Sequence, residues 1–238
     1  MAKIALSIII PVLNEEPVIR SVIEDIIRAA RSYGDSFEII VADGGSTDRT
    51  AEVVHGLAGR DERISYVRSQ GSTNFGDSVR EGVRHCTAPL LALIDGDGQA
   101  EAADLFKMVD EIRTGADVVQ GWRVVRRDSW IRRVVSTWYN VALRLFLGIP
   151  LHDCNCTLKV FKREVVGERF FNCRTSMVSP VIVGMALRRG MCVKELPIAH
   201  RERKGPSHIF GGVKIFKQII RIFMELFQQR RFLKSVRM

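Results

Sequence analysis

Asp95 and Asp97, in the run Leu91-Ala92-Leu93-Ile94-Asp95-Gly96-Asp97-Gly98-Gln99, are the residues whose types and spacing most directly suggest chemistry. Two acids this close repel one another unless something positive lies between them, and hard carboxylate oxygens suit Mg2+ or Mn2+. The intervening glycines let a cation and its phosphate oxygens come close to the backbone. The competing reading is a plain polar turn, because Asp and Gly are what tight turns use. Two other chemistries fit worse. A phosphatase with an aspartyl nucleophile would want Thr or Val near Gln99 and its acids on the first strand. A dinucleotide site would want Gly-x-Gly-x-x-Gly between a strand and a helix, and no such run follows this strand or the first one.

The element that positions the acids is Leu90 to Ile94, an uninterrupted apolar run of the kind a parallel strand needs when helices cover both its faces. The acids therefore fall at a strand's carboxyl end, where open α/β sheets bind ligands. Upstream, Leu6 to Val12 reads as the first strand and ends in Pro11-Val12-Leu13-Asn14-Glu15. A helix follows, with Val18, Val22, Ile23, Ile26 and Ile27 at helical spacing. Phe37 to Ala42 is a second strand ending at Asp43-Gly44-Gly45-Ser46-Thr47-Asp48, where Ser46 or Thr47 can cap a helix from about Arg49 to Leu57. Ile64 to Arg68 is a third strand, Gly71 to Gly76 a polar loop and Asp77 to Cys86 a short helix. After Gln99 come a helix from Ala102 to Arg113 and a strand from Asp117 to Gly121, with Arg123 just beyond it.

Strand and helix thus alternate, the signature of a parallel sheet with connecting helices. Four strand ends in a row carry polar or charged residues, which points to one composite site on a rigid scaffold. The second half departs from the alternation. Trp130 to Leu147 is a helix with both apolar and Arg positions, His152 to Arg163 a loop entering a short strand, Val178 to Arg189 a helix and Cys192 to Ala199 a strand. His200 to His208 is a basic loop, and Gly212 to Leu233 a last amphipathic helix.

The 238 residues carry 36 basic and 27 acidic side chains, a net +9 that suits nucleic acid, a membrane surface or phosphorylated substrates. The basic residues gather late while the acids line the strand ends, so nucleic acid is not expected as a partner. No window of 18 uncharged apolar residues and no signal peptide is found, and a cytoplasmic protein is expected. Five cysteines without a Cys-x-x-Cys pair read as reduced, mostly buried thiols, and His152 and His200 as structural.

The ordered set Ile10 to Glu15, Asp43 to Asp48, Asp95 to Gln99, Gly121-Trp122-Arg123 and Asp153 to Lys159 resembles the family 2 glycosyltransferases. Within them it is most similar to the dolichol- or polyprenyl-phosphate sugar transferases, and the resemblance covers essentially the whole chain. It implies one α/β domain of the GT-A type over 1–238, a mostly parallel nucleotide-sugar-binding sheet flanked by helices. Residues 1–121 would form the nucleotide-sugar half, 122–208 the acceptor half and 209–238 an amphipathic C-terminal helix. By the same resemblance, Pro11, Asn14 and Glu15 contact the nucleotide and Asp43 its base or ribose. Asp95, Asp97 and Gln99 hold Mg2+ or Mn2+ on the donor diphosphate. Arg123 and Lys159 act near the acceptor phosphate, and Arg203 and Ser207 belong to the late basic motif. Gly44 stands where many members have a second Asp, and Cys156-Thr157-Leu158 replaces Ser-Gly-Phe. Some relatives also append transmembrane helices, which this sequence does not show.

The nucleophile divides the readings. A phosphate acceptor is already an anion and needs Arg and Lys rather than a base, whereas a saccharide hydroxyl needs a carboxylate, for which Asp153 is the acid of the acceptor-side motif. For a lipid phosphate, the two basic amphipathic helices would lie on the inner membrane face, making the protein peripheral. The same stripes could instead pack on the sheet or form a homo-oligomer.

Overall fold

The computed structural model describes residues 5–31, 33–34, 36–69, 74–124, 130–173, 177–201 and 224–234. Arg203, Ser207 and most of the helix expected from Gly212 to Leu233 lie outside these residues. The elements are β1 (Leu6–Val12), α1 (Ile19–Arg31), β2 (Phe37–Asp43), α2 (Thr50–Ala58), β3 (Ile64–Arg68), α3 (Phe75–His85), β4 (Leu90–Leu93), α4 (Ala102–Arg113), β5 (Val118–Arg123), α5 (Trp130–Leu147), β6 (Lys159–Lys162), α6 (Glu168–Asn172), α7 (Val178–Arg188) and β7 (Val193–Ile198). Residues 224–234 are helical.

β1 is buried along its whole length, and its pleat divides its side chains between two cores. Leu6, Ile8, Ile10 and Val12 join the apolar side chains of α1, α2 and α4, while Ile9 joins those of α3, α5 and α7. The seven strands run in the order β3-β2-β1-β4-β6-β5-β7. β1 is parallel to both β2 and β4, β5 is parallel to β7, and β6 runs antiparallel between β4 and β5. The sheet is therefore mostly parallel with one reversed strand. From β1 the chain winds outward through β2 and β3, then returns to the other side of β1 as β4. The crevice beyond that reversal lies between the ends of β1 and β4, the place where open α/β sheets take ligands.

Several boundaries differ from expectation for local reasons. β5 runs on to Arg123 because its pairing with β7 continues through Arg123 and Ile198. α3 begins at Phe75, since the Asn74 side chain accepts from the Asp77 amide at 2.9 Å and caps it. Ser46 and Thr47 do not cap α2: Asp48 accepts from the Thr50 amide at 3.0 Å, and the Ser46 hydroxyl is committed to Asp43.

Both amphipathic helices contribute to the core. In α5, Tyr139, Leu143 and Leu147 are buried, while Trp138, Val141 and Leu145 on another face are exposed. In the 224–234 helix, Leu226 and Leu233 are buried and Met224 and Phe227 are exposed. A Cβ on Gly184 of α7 would stand 2.6 Å from a Leu233 methyl, so the glycine admits that side chain. Burying one such leucine contributes about 1.5–3 kcal/mol. Among the described residues no helix is long and apolar enough to cross a membrane.

Candidate active site

The first wall of the site is made by the ends of β1 and β2. Asn14 has φ 58°, a left-handed backbone that Asn tolerates better than most residues. That turn aims its side chain across at the β2 loop, where Oδ1 accepts from the Thr47 amide at 2.8 Å. In return the Asn14 amide donates to Ser46 Oγ at 2.9 Å, the Glu15 amide to Thr50 Oγ1 at 3.0 Å and the Glu16 amide to Asp48 at 3.2 Å. Asp43 organises the second loop from within. Its Oδ1 accepts from the Gly45 amide, the Ser46 amide and the Ser46 hydroxyl at 2.9, 2.7 and 2.8 Å, and its Oδ2 accepts from the Tyr66 hydroxyl at 2.6 Å. The Tyr66 phenol, partly buried and facing this carboxylate, is pushed up to about 12.

The acids stand at the end of β4. A Cβ on Gly96 would meet a Val12 methyl at 2.6 Å and the Pro11 carbonyl at 3.3 Å, so only glycine lets the two strand ends come this close. Gly98 turns the chain at φ 73°, and the Gln99 amide then donates back to Asp97 Oδ1 at 3.0 Å. Burial, and then the charge of Asp97, push the Asp95 carboxyl up to about 7. A hydrogen bond from the Thr157 side chain and the charges of Arg123 and Lys159 pull the other way. Two carboxylates this close at a buried strand end, both hard oxygen donors, fit a divalent cation. Among the described residues no group of three or more His, Cys, Asp or Glu side chains gathers in ligand geometry. The protein would thus offer the two carboxylates and leave the other positions to diphosphate oxygens.

The far wall comes from the loop before β6 and the start of α7. Arg123 donates to both carboxylate oxygens of Asp153, at 2.7 and 3.0 Å. Burial would lower the proton affinity of the guanidinium, but the Asp153 pair outweighs it and holds Arg123 firmly charged. Lys159 has no exposed surface. Its ammonium donates to the Cys156 carbonyl at 3.0 Å and to the Ser179 hydroxyl, and desolvation brings it down to about 8. Cys154 and Cys156 are buried thiols pushed up to about 12 by the same loss of solvent. His152 stacks on Trp122 at 4.5 Å and meets Glu195 through Nδ1 at 2.7 Å.

These walls enclose a cleft of about 430 Å³. Of the residues expected at the site, Pro11, Glu15, Asp95 and Asp97 line it. Asp43 does not: it is fully buried, so it shapes the loop that brings Gly44 to the cleft rather than offering a surface to a base or ribose. Asn14 is likewise spent on joining the two loops. Gln99 does not line the cleft, and its side-chain nitrogen donates to the Arg201 carbonyl at 3.2 Å, tying that segment to the acid loop. Arg123, Asp153 and Lys159 stand behind the wall instead of lining it. Pattern reading missed Asn74, Phe75 and Ser78 at the start of α3 and Met177, Val178 and Ser179 at the start of α7, all of which line the cleft. Asn74, as a helix cap, was the one with a readable signal. Gly44 lies against α3, where a Cβ would stand 2.8 Å from Ser78 Oγ, so a side chain there would have to displace that hydroxyl.

Fold and cleft together define an α/β protein with a paired-acid site at the switch point of its sheet, and comparison with known proteins gives the family. Residues 7–170 match the model of Glycosyl transferase family 2, and the chain belongs to that family. It is similar to an undecaprenyl-phosphate 4-deoxy-4-formamido-L-arabinose transferase of Pseudomonas paraeruginosa, at 32% identity over 88% of this chain and 61% of that protein. It is also similar to a dodecaprenyl-phosphate galacturonate synthase of Rhizobium johnstonii, at 27% identity over 96% of this chain and 68% of that one. The chain thus spans about three fifths to two thirds of the length of these relatives. Among solved structures, glucosyl-3-phosphoglycerate synthase from Mycobacterium tuberculosis with Mn2+ and UDP-glucose superposes with a TM-score of 0.67 at 18% identity, covering 94% of this chain and 79% of that one. That likeness establishes a shared GT-A fold.

Proposed function

We propose that the protein transfers a sugar from a nucleotide diphosphate donor, UDP- or GDP-linked, to a polyprenyl phosphate at the cytoplasmic membrane face. The observation that carries this reading is the placement of Asp95 and Asp97 between the stitched β1 and β2 loops and the loop that bears Thr157 and Asp153. The sugar nucleotide would lie along the first wall, with its diphosphate at the acids. A divalent cation, Mg2+ or Mn2+, held by Asp95 and Asp97 would neutralise the charge that grows on the leaving diphosphate. The relatives, an undecaprenyl-phosphate and a dodecaprenyl-phosphate sugar transferase, favour a polyprenyl-phosphate acceptor, and the Mn2+ and UDP-glucose bound by the structural neighbour favour a metal and a nucleotide sugar.

A phosphate acceptor is anionic at neutral pH and attacks the anomeric carbon without a base, with inversion. Arg123, whose charge is felt at Asp95, supplies positive potential on that side. The saccharide-acceptor reading requires Asp153 as base. It is weakened by the burial of Asp153 and by the engagement of both its oxygens with Arg123. Replacing Asp153 alone does not separate the two, because it also frees Arg123. The direct test offers UDP- and GDP-sugars with a polyprenyl phosphate, a polyprenol or free saccharides, with and without Mn2+. Metal-dependent transfer to the phosphate alone is expected, and equal transfer to hydroxyl acceptors would favour the second reading.

For access to a lipid, the exposed face of α5 is the natural candidate. Trp138 and Leu145 are 72% and 78% exposed there, and the Phe146 ring meets Phe227 of the last helix at 6.1 Å. Exposed aromatic and aliphatic side chains with the exposed Arg144 beside them suit an interface with anionic lipid. Flotation with anionic liposomes should carry the protein upward, and Trp138→Ser with Leu145→Ser should abolish flotation while sparing nucleotide binding.

A further inference from the structure

Asp153, Cys154, Asn155 and Cys156 form a tight turn on the far wall, closed by the Cys156 amide donating to the Asp153 carbonyl at 3.3 Å. Asp153, Cys154 and Cys156 are buried. The Asp153 carboxylate is held by Arg123 and its amide by Glu195 at 3.3 Å. Behind the turn, its carbonyls meet buried donors from other elements. Gln120 Nε2 reaches that of Asp153 at 3.2 Å and that of Cys156 at 2.7 Å. The Ser179 hydroxyl reaches Cys154 at 2.9 Å, and the Lys159 ammonium reaches Cys156 at 3.0 Å. An amide, a hydroxyl and an ammonium taken out of water are costly unless paired, and here all three serve one turn.

The exposed member of the turn is Asn155, and it lines the cleft. Asparagine in a turn ordinarily serves the backbone, through a left-handed conformation or a local side-chain hydrogen bond. Neither reason applies here. Among the described residues Asn14 is the one non-glycine with a positive φ, and no hydrogen bond of the Asn155 side chain is found. Neighbouring polar side chains of the cleft are already committed: Ser179 to the Cys154 carbonyl, Asn74 to Asp77 through both amide atoms, and Ser78 to the Asn74 carbonyl. Asn155 thus brings a donor and an acceptor into the cleft on a backbone held from behind. A sugar hydroxyl is itself both donor and acceptor and matches a carboxamide, whereas a phosphate offers acceptors and is best met by a cation. With the diphosphate at Asp95 and Asp97 and the nucleoside along the first wall, the sugar falls on the side of this turn.

We infer that Asn155 hydrogen-bonds hydroxyls of the donor sugar and so helps to select which sugar is transferred, a role that rests on the reading of the cleft as a nucleotide-sugar site. A site that pairs with a substrate hydroxyl discriminates against sugars that place it elsewhere. Affinities for UDP, GDP, UDP-glucose, UDP-galactose, UDP-glucuronate and GDP-mannose, each with Mn2+, should be measured by titration calorimetry in the wild type and Asn155→Ala, beside their thermal midpoints. The variant should keep its midpoint, because the side chain is exposed, and should bind UDP and GDP as the wild type does. Its affinity for the preferred sugar nucleotide should fall roughly 10-fold, the size of one or two neutral hydrogen bonds, and the preference among sugars should narrow by the same factor. An unchanged preference, a loss equal for UDP or GDP and its sugar conjugate, or a lowered midpoint would each overturn the assignment. So would a wild type that binds the nucleotides but prefers no sugar. A wild type that binds none of these compounds with Mn2+ would overturn the nucleotide-sugar reading itself, an outcome distinct from the others.

Discussion

The two walls of the cleft are held in opposite ways. The β1–β2 wall is tied by many neutral or singly charged hydrogen bonds among Asn14, Ser46, Thr47, Asp48 and Thr50; Ser46, against the Asp43 carboxylate, and Thr50 are buried, while Asn14, Thr47 and Asp48 form a partly exposed rim. The far wall is backed by buried ionised groups: Asp153 paired with Arg123, and Lys159 without any exposed surface. Water can replace part of what a hydrogen bond at Asn14, Thr47 or Asp48 supplies, so losing one there costs less than losing a buried charge's partner. Behind the far wall nothing replaces a lost partner, and a single deletion leaves a charge unpaired in a dry interior. Shape is kept at the rim by many weak ties and at the back by a few strong ones.

The comparison can be broken at several points. The largest effect is expected where the walls meet: Asp97→Asn should lower transfer roughly 10³- to 10⁴-fold, since a metal stabilises the developing charge by several kcal/mol. Its thermal midpoint should stay near that of the wild type, and a matching loss of stability would mean the acid is structural. Next, Arg123→Ala should destabilise the fold by about 3–5 kcal/mol in denaturant titration, because it strands the buried Asp153. The corresponding deletion at the rim, Asn14→Ala, should cost about 1–3 kcal/mol, as it forces Ala into a left-handed turn and removes the ties to Thr47 and Asp48. If the rim variant proves the more damaging, the contrast between the walls fails.

The acid pair sharpens the comparison through pH. Asp95 is pushed up to about 7, above its value in the unfolded chain near 3.8. Between those values the folded state binds more protons than the unfolded one, so metal-free stability should fall as pH rises from about 4 to about 7. Mn2+ should offset this fall at neutral pH by binding the folded state. Asp95→Asn should flatten the profile and remove the Mn2+ response, and urea titrations across that range check both. An effect of the same size as that at Asn14 belongs to Gly96→Ala, where the added methyl meets Val12 and the Pro11 carbonyl and should cost about 1–3 kcal/mol of stability.

Elements whose residues repeat a single period were readable in advance. The apolar run of β4, the helical stripe of α4 and the ends of α5 at Trp130 and Leu147 fall where patterning places them. β6 was less so, because Lys159-Val160-Phe161-Lys162 is short and nothing in its alternation tells its direction; its neighbours in the sheet do. Lys159, Asp43 and Gln120 were unreadable in a stronger sense. Each is a polar residue with no exposed surface, and its burial depends on partners 20 or more residues distant, such as Ser179, Tyr66 and Cys156.

The sequence by itself determined which residue types stand at the strand ends, and with them the acid pair, the family and the alternation of strand and helix, because period and composition act locally along the chain. Only the tertiary structure decided which of those polar residues face the cleft and which stand behind it. Pro11, Glu15, Asp95 and Asp97 face inward, whereas Asp43, Asn14 and Gln99 hold loops in place. The physical reason is that a carboxylate or an amide can serve a ligand or a neighbouring backbone equally well. What settles the choice is the set of donors that folding brings within about 3 Å of it.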